Sequence, residues 1–356
     1  MDDDVSVAKT IDLKVPVQFC AAGNGHAAVI SNKGDLFLWG LNADSQLGVD
    51  TNGKPAKGPM PVAIPFTDKD KLGSVIHVAC GTNHTLAAVS DGTLWSWGSG
   101  KMGKLGHGNE ATKRIPTRVT ALFKQKETEK KGQNGTSRKG STLFTWGNNR
   151  SGILGLGDTI PHFRPAGVDF KKLSLKKYDR DDIVTDVSMG NNHAAAVLED
   201  GMISTWGQGD FGQLGYQIGE DNEDDLQLTP RIVNPKTFPD DFESEDAILS
   251  VSCGPSHTSC ISKCGSIYSW GAGETQQLGI EDTDDVFEPV KVDSSVSFVQ
   301  LSVGSTATAA ITSSGKVYMW GFEVGETAPQ LSRTLEPYTI KHGAVGSGNA
   351  PTIFTY

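Results

Sequence analysis

Histidines recur at one fixed place in the sequence, and imidazole is a side chain that can bind a metal or exchange a proton. Each lies three residues after a glycine and thirteen residues before a tryptophan: His26, His84, His193 and His257, with Ala307 in the same place further on. A metal site would need several of them to converge, whereas one histidine in each repeated unit keeps them apart. We therefore predict a hydrogen-bonded clasp within each unit and no metal site.

Side-chain catalysis has little support in the sequence. There is no nucleophile elbow, no phosphate-binding loop and no H-E-x-x-H motif. The cysteines show no C-x-x-C spacing of the kind that binds zinc: Cys20, Cys80, Cys253, Cys260 and Cys264. We predict that the protein is not an enzyme with catalytic side chains and that it uses no cofactor.

The charge and hydropathy of the chain exclude other classes. The formal net charge is -10 and the pI is near 5.3, which argues against a surface devoted to nucleic acid. No apolar run approaches the roughly 20 residues of a spanning helix, and the start, MDDDVSVAKT, does not resemble a signal peptide. We expect an intracellular protein, cytoplasmic or nuclear or both, without membrane insertion.

A repeat must position the histidines. Tryptophan is followed by glycine at Trp39, Trp97, Trp146, Trp206, Trp270 and Trp320. The strand that ends in this tryptophan is apolar on both faces, as in DLFLWG and SIYSWG, so it must be covered on both sides. Small residues follow the histidine, as in HAAAVL, and suit the tapered interior of a ring. A proline marks the outer edge strand: Pro116, Pro230, Pro289 or Pro337.

The turn that leaves the tryptophan strand is also repeated, as GSGKMGKLG, GQGDFGQLG and GAGETQQLG. Its glycines permit positive φ angles. Its leucine is predicted to pack back into the unit, and this prediction covers Leu47, Leu105, Leu154, Leu214 and Leu278. The repeated turn is therefore interpreted as a structural element of each unit and not as a binding or catalytic motif.

With Gly-x-x-His, Trp-Gly and Gln-Leu-Gly at fixed offsets, the sequence resembles the regulator of chromosome condensation (RCC1-type) repeat family. That resemblance implies an all-β fold, a seven-bladed β-propeller. A WD-repeat propeller would instead show Trp-Asp. We predict one domain over residues 1–356, with units near 17–72, 73–122, 123–180, 181–246, 247–296, 297–340 and 341–356. The third unit is degenerate, since residues 124–140 are polar, and the incomplete closing blade is predicted to join residues 341–356 to residues 10–13.

Two loop surfaces follow from the alternation of strands. The first, here called the first face, holds the Gly-x-x-His turns and the turns after Trp-Gly. Its predicted partner-binding residues are Lys101, Arg150, Asp210, Glu274, Glu220, Asp221, Asp224 and Asp225, with Ala43 at an equivalent place and further acidic residues at 281–285. The opposite, second face carries basic segments at 124–139 and 171–180 and an acidic one at 239–246. For either face, solvated loops are the alternative to a binding surface.

The resemblance implies several kinds of function, because a fold alone does not choose among them. One is a scaffold or regulatory module that binds protein partners. Another is guanine nucleotide exchange on a Ran-type small GTPase. A third is light sensing like that of the plant ultraviolet-B photoreceptor, but the Gly-Trp-Arg-His-Thr motifs are absent and only Trp95 adds to the repeated tryptophans. We predict a non-catalytic protein-interaction propeller, with nucleotide exchange as the alternative.

Overall fold

The structure is a computed structural model that describes residues 11, 13–65, 73–122, 143–170, 173, 183–219, 225–238, 247–322, 324–345 and 353–355. Among the described residues, the regular elements are β-strands, apart from helical residues at 121–122 and short 3-10 turns such as Lys101–Gly103 and Pro235–Thr237. Sheets follow one another along the chain, and each is an antiparallel meander. Within the described residues, no helix has the length and apolar composition needed to cross a bilayer.

Five sheets have four strands and are complete propeller blades. Their strands are, in order, β1–β4 (Val17–Ala22, His26–Ser31, Leu36–Gly40, Ala56–Val62), β5–β8 (Val75–Cys80, His84–Val89, Leu94–Gly98, Lys113–Arg118), β11–β14 (Val184–Met189, His193–Leu198, Ile203–Gln208, Leu226–Ile232), β15–β18 (Ile248–Cys253, His257–Ser262, Ile267–Gly271, Val286–Lys291) and β19–β22 (Phe298–Val303, Ala307–Thr312, Val317–Gly321, Glu326–Leu331).

The prediction of a seven-bladed propeller is wrong, because the described residues form five blades. Two-stranded sheets occupy the places of the degenerate third blade and the closing blade. They are formed by β9 and β10 (Phe144–Gly147, His162–Gly167) and by β23 and β24 (His342–Ala344, Ile353–Thr355). In the third unit, the residues that would precede β9 include 123–142, which lie outside the described part and carry eight charged side chains.

The predicted closing segment is only partly described: Ile11 and Leu13 belong to no strand, and residues 10 and 12 lie outside the described part. One expectation about the outer strands fails. Pro337 lies in a turn, and the outer strand of the last complete blade is β22, which contains Pro329. Pro116, Pro230 and Pro289 do lie in outer strands, where a missing N–H donor costs no sheet bond.

The register explains the two loop faces. His26 pairs with Gly40 and His193 pairs with Gly207, so the start of each second strand lies beside the end of the tryptophan strand. The Gly-x-x-His turns and the turns after Trp-Gly therefore share one face, as predicted.

The first strand of each blade lies nearest the axis. β1 contacts β5, β11 contacts β15 and β15 contacts β19. The small-residue strand that follows the histidine was expected to be innermost, but it is second. It packs on the first strand of the next blade, where Ala195 and Val197 join Val251 in one apolar cluster. The core is therefore built between blades as well as within them.

Candidate functional site

Two of the repeated histidines, His26 and His193, are clasps, and they join neighbouring blades. His26 Nε2 lies 2.8 Å from Thr85 Oγ1 in the next blade, and His193 Nε2 lies 2.8 Å from Thr258 Oγ1. The prediction of a clasp within each unit is therefore corrected. The second strands of adjacent blades begin side by side at the first face, so the imidazole reaches across the seam.

The glycine of the Gly-x-x-His turn makes room for the ring. A Cβ on Gly81 would lie 2.2 Å from Cε1 of His84, and one on Gly254 would lie 2.2 Å from Cε1 of His257. Such distances are far inside van der Waals contact, so a larger residue would displace the histidine. This packing accounts for the strict three-residue spacing.

A backbone carbonyl in the repeated turn completes the clasp. The carbonyl oxygen of Gln46 accepts from Thr85 Oγ1 at 2.7 Å and from Trp97 Nε1 at 2.9 Å. The same pair of bonds reaches Gln213 from Thr258 and Trp270, and Gln277 from Thr308 and Trp320. A buried indole N–H needs a partner, and the turn of the preceding blade supplies it.

The Leu-Gly end of the turn packs on the same tryptophan. Gly48 has a φ of +69°, and a Cβ there would lie 2.7 Å from Trp97 Nε1. Glycine therefore serves both the backbone conformation and the close approach of the indole. The leucines before these glycines are at most 1% exposed: Leu47, Leu105, Leu154, Leu214 and Leu278. The predicted inward packing of the leucines is confirmed.

Burial keeps the repeated histidines neutral. Loss of hydration lowers the pKa of His26 and of His193 to about 4 and that of His257 to about 3. Among the described residues, no group of three or more His, Cys, Asp or Glu side chains could hold a metal ion. His26 and His193 therefore act as packed hydrogen-bonding groups, whereas His257 is a packed neutral ring, and all three lie beneath the first face.

Sequence reasoning missed a second seam, close to the axis. Ser188 Oγ accepts from the Cys253 N–H at 2.9 Å, and Ser252 Oγ accepts from the Val303 N–H at 3.1 Å. Ser302 does the same for Val345 at 2.9 Å. Each serine hydroxyl thus accepts a hydrogen bond from a backbone N–H at the edge of the inner strand in the next blade. The signal was available, because serine stands two residues before the Gly-x-x-His glycine in these units.

The tips of the first-face turns carry the predicted partner-binding residues, and we call these tips the rim. Lys101, Arg150, Asp210 and Glu274 are exposed at the same position in four different turns, with Ala43 exposed in a fifth. Asp225 is half-buried, and Glu220, Asp221 and Asp224 lie outside the described residues. The structure thus places five successive tips on one face.

Charge changes sign around the rim. Lys101 and Arg150 belong to the second and third units, with Lys104 half-buried nearby and donating to Asn83 Oδ1 at 3.1 Å. Asp210 and Glu274 belong to the next two units, and an exposed acidic run follows at 281–285.

Apolar residues on the rim were not predicted. Phe211 is 41% exposed next to Asp210, Leu41 is 48% exposed, and Phe322 is 70% exposed. Leu41 and Phe322 directly follow a Trp-Gly pair, where the other units have small or polar residues. The basic and acidic segments predicted for the second face lie outside the described residues, except for half-buried Leu173.

Comparison with known proteins supports the repeat assignment. The family model "Regulator of chromosome condensation (RCC1) repeat" matches residues 33–88, 91–129, 141–197, 200–261 and 264–311. The ultraviolet-B receptor UVR8 of Arabidopsis thaliana is 30% identical over 79% of this chain, and the match covers 60% of that receptor. The chain therefore spans less than two thirds of that relative's length.

Solved structures show the same fold. Human WBSCR16 matches 97% of this chain and 89% of its own, with a TM-score of 0.76 and 18% identity. Prp20p of Saccharomyces cerevisiae, described together with its binding to Gsp1p and histones, matches 93% of this chain and 80% of its own, with a TM-score of 0.70 and 21% identity. Since one family model covers well over half of the sequence, the chain belongs to the regulator of chromosome condensation (RCC1) repeat family.

Proposed function

We propose that the protein is a non-catalytic scaffold or regulatory module that binds protein partners through the rim of its first face. One observation carries the proposal: the residues beneath each turn are nearly invariant from blade to blade, whereas the exposed tips differ in charge and size. A constant support with variable tips is the arrangement in which loops provide specificity.

The charge pattern supports a basic partner. Asp210, Glu274 and the exposed run at 281–285 form one acidic sector of the rim. Acidic groups on one sector attract a basic surface and orient its approach, over about 8 Å at physiological ionic strength. The partner is therefore a protein with a basic patch.

Phe211 supplies an anchor inside this sector. Its side chain is 41% exposed although it is aromatic, and it stands beside Asp210 in the same turn. Aromatic residues that become buried on binding contribute much of the energy of protein interfaces.

A matched pair of charge reversals tests the rim. Glu274→Lys changes an exposed glutamate of the first face, and Glu199→Lys changes an exposed glutamate in a hairpin of the second face. Partners recovered from lysate with the wild type should be lost with Glu274→Lys and retained with Glu199→Lys. Equal recovery with both variants would refute the first-face assignment.

Guanine nucleotide exchange on a Ran-type GTPase is the second candidate. The similarity of fold to Prp20p, whose binding to Gsp1p was examined, favours an exchange function. Exchange requires no nucleophile or acid-base pair, only binding that stabilises the nucleotide-free GTPase. Release of a fluorescent guanine nucleotide from Ran, measured with and without the protein, tests this candidate. Equal release rates would eliminate it and leave the scaffold proposal standing.

Light sensing is not proposed, despite the similarity to the Arabidopsis receptor. The additional tryptophan, Trp95, is 5% exposed, and its Nε1 donates to Thr93 Oγ1 at 2.8 Å. It belongs to the apolar core between the first two blades. Trp95 is therefore explained by packing.

A further inference from the structure

Among the described strands, the third sheet has an inner edge without a neighbour. Every other tryptophan strand is paired on both sides, but β9 pairs only with β10 among the described strands. In a complete blade, the strand beginning at the clasp histidine would lie along this edge. Phe144–Gly147 therefore presents the backbone groups to which another strand can bond.

The next blade has an uncovered apolar surface beside that edge. Val187 and Met189 on β11 are 42% and 47% exposed, whereas Val251 and Cys253, at the same positions on β15, are 6% and 8% exposed. The difference has a simple cause. Ala195 and Val197 of β12 pack against the β15 residues, and no described strand takes their place in front of β11.

Other residues around the gap are also more open than their equivalents. Trp146 is half-buried, as is Trp39 of the first blade, whereas Trp97, Trp206, Trp270 and Trp320 are fully buried. Ala79, which faces the gap from the second blade, is exposed, and His84 is half-buried. We call the space bounded by β9, Val187, Met189 and Ala79 the third-sheet slot.

The segment before β9 is long enough to reach the slot, but its residues are too highly charged to fill it. Between β8 and β9 lie residues 119–143, the same number that connects β18 to β21. The latter include the small and apolar residues of β20, whereas residues 123–142 contain eight charged residues and Phe123 as their one large apolar residue. Burying charged side chains against Val187 and Met189 would be costly.

We propose that the third-sheet slot receives an extended segment of a partner protein, which pairs antiparallel with β9 and covers Val187 and Met189. Strand addition of this kind takes its affinity from backbone bonds and its specificity from alternate side chains. The segment needs small apolar residues at alternate positions, as Ala195 and Val197 show. Lys101, Lys104 and Arg150 lie at the first-face end of the slot, so the segment is acidic before its first paired residue.

A peptide provides the probe. A fluorescently labelled peptide with the sequence of residues 191–200 carries the β12 pattern and should bind the intact protein saturably, as followed by fluorescence anisotropy. Replacing the two peptide residues equivalent to Ala195 and Val197 by lysine should abolish binding. Replacing the two leading asparagines, Asn191 and Asn192, by acidic residues should tighten binding at low salt but not at high salt.

Two protein variants locate the binding. Met189→Lys should weaken binding of the peptide by about tenfold or more, since it places a charge on the covered surface. Val299→Lys is the control and should leave binding of the peptide unchanged. Val299 is also an exposed apolar residue of an inner strand, but it lies in β19. Glu274→Lys should leave peptide binding unchanged, so this proposal and the rim proposal fail separately.

Three results would overturn the proposal. One is no saturable binding, or binding that Met189→Lys does not weaken. Another is a dimer of the protein that Met189→Lys dissociates, which would assign the slot to a second copy. The third is a lowered melting temperature when residues 123–142 are replaced by a Gly-Ser segment of equal length, which would assign the slot to the chain itself.

Discussion

Acid should unfold this propeller through its buried histidines. An unfolded histidine has a pKa of about 6.5, whereas burial lowers the pKa of His26 and His193 to about 4 and that of His257 to about 3. The unfolded chain therefore binds more protons than the folded chain between these values. The stability is complete above pH 6.5 and is lost as the pH falls toward 4.

The magnitude follows from linkage. At pH 5.5 an unfolded histidine is about nine-tenths protonated and the folded one is almost neutral. Each buried histidine therefore lowers the free energy of unfolding by about 1.3 kcal/mol relative to pH 7.5. The three fully buried histidines together cost about 4 kcal/mol, a large part of a typical unfolding free energy of about 5–15 kcal/mol. His84 is left out of this sum because its side chain is partly exposed.

The assay is urea unfolding at pH 7.5 and pH 5.5, and two variants of one clasp separate the causes. His193→Gln should reduce the pH-dependent loss by about 1.3 kcal/mol, because it removes one titrating group. Thr258→Val removes the bonding partner of His193 and its bond to Gln213. It should lower stability at both pH values and leave the pH-dependent loss in place. The claim that the buried histidines are neutral would be refuted by a wild-type loss of unfolding free energy below about 1 kcal/mol between the two pH values. An equal loss in the wild type and in His193→Gln would refute it as well.

The remaining predictions concern individual contacts and use the melting temperature or urea midpoint as the measurement. Gln276 has a φ of +60°, so Gln276→Gly should raise the unfolding free energy by about 0.5–1 kcal/mol; a decrease would mean that its side chain stabilises the turn. Gly48→Ala should cost about 2 kcal/mol or more, because the new Cβ would lie 2.7 Å from Trp97 Nε1. Unchanged stability would show that the indole moves freely. Ser252→Ala should cost about 1–2 kcal/mol by leaving the Val303 N–H without its acceptor, and faster hydrogen exchange at Val303 would identify the cause.

Local chemistry made much of the blade predictable. The Trp-Gly strand, the Gly-x-x-His turn and the buried leucine follow from short spacings, because each element is formed by residues close in sequence. The two loop faces followed as well, since antiparallel strands alternate direction. The rim residues Lys101, Arg150, Asp210 and Glu274 could therefore be assigned to one face, although their partner could not.

What remained depended on contacts between blades. The histidine clasp joins residues 59 or 65 positions apart, and the serine seam joins Ser188 to Cys253. No local spacing specifies which blade donates and which accepts. The number of blades was also predicted wrongly, because a tryptophan strand can be recognised by its own residues in a unit that does not form a four-stranded sheet among the described residues.

The sequence by itself determined the repeated blade, since side-chain periodicity and turn glycines act within a few residues of one another. Only the tertiary structure decided how the blades are joined and which described surfaces between them stay exposed. The physical reason is that a seam exists only after two distant segments meet: the carbonyl of Gln46 becomes an acceptor for Trp97, and Val187 becomes an uncovered surface, through what packs or fails to pack beside it.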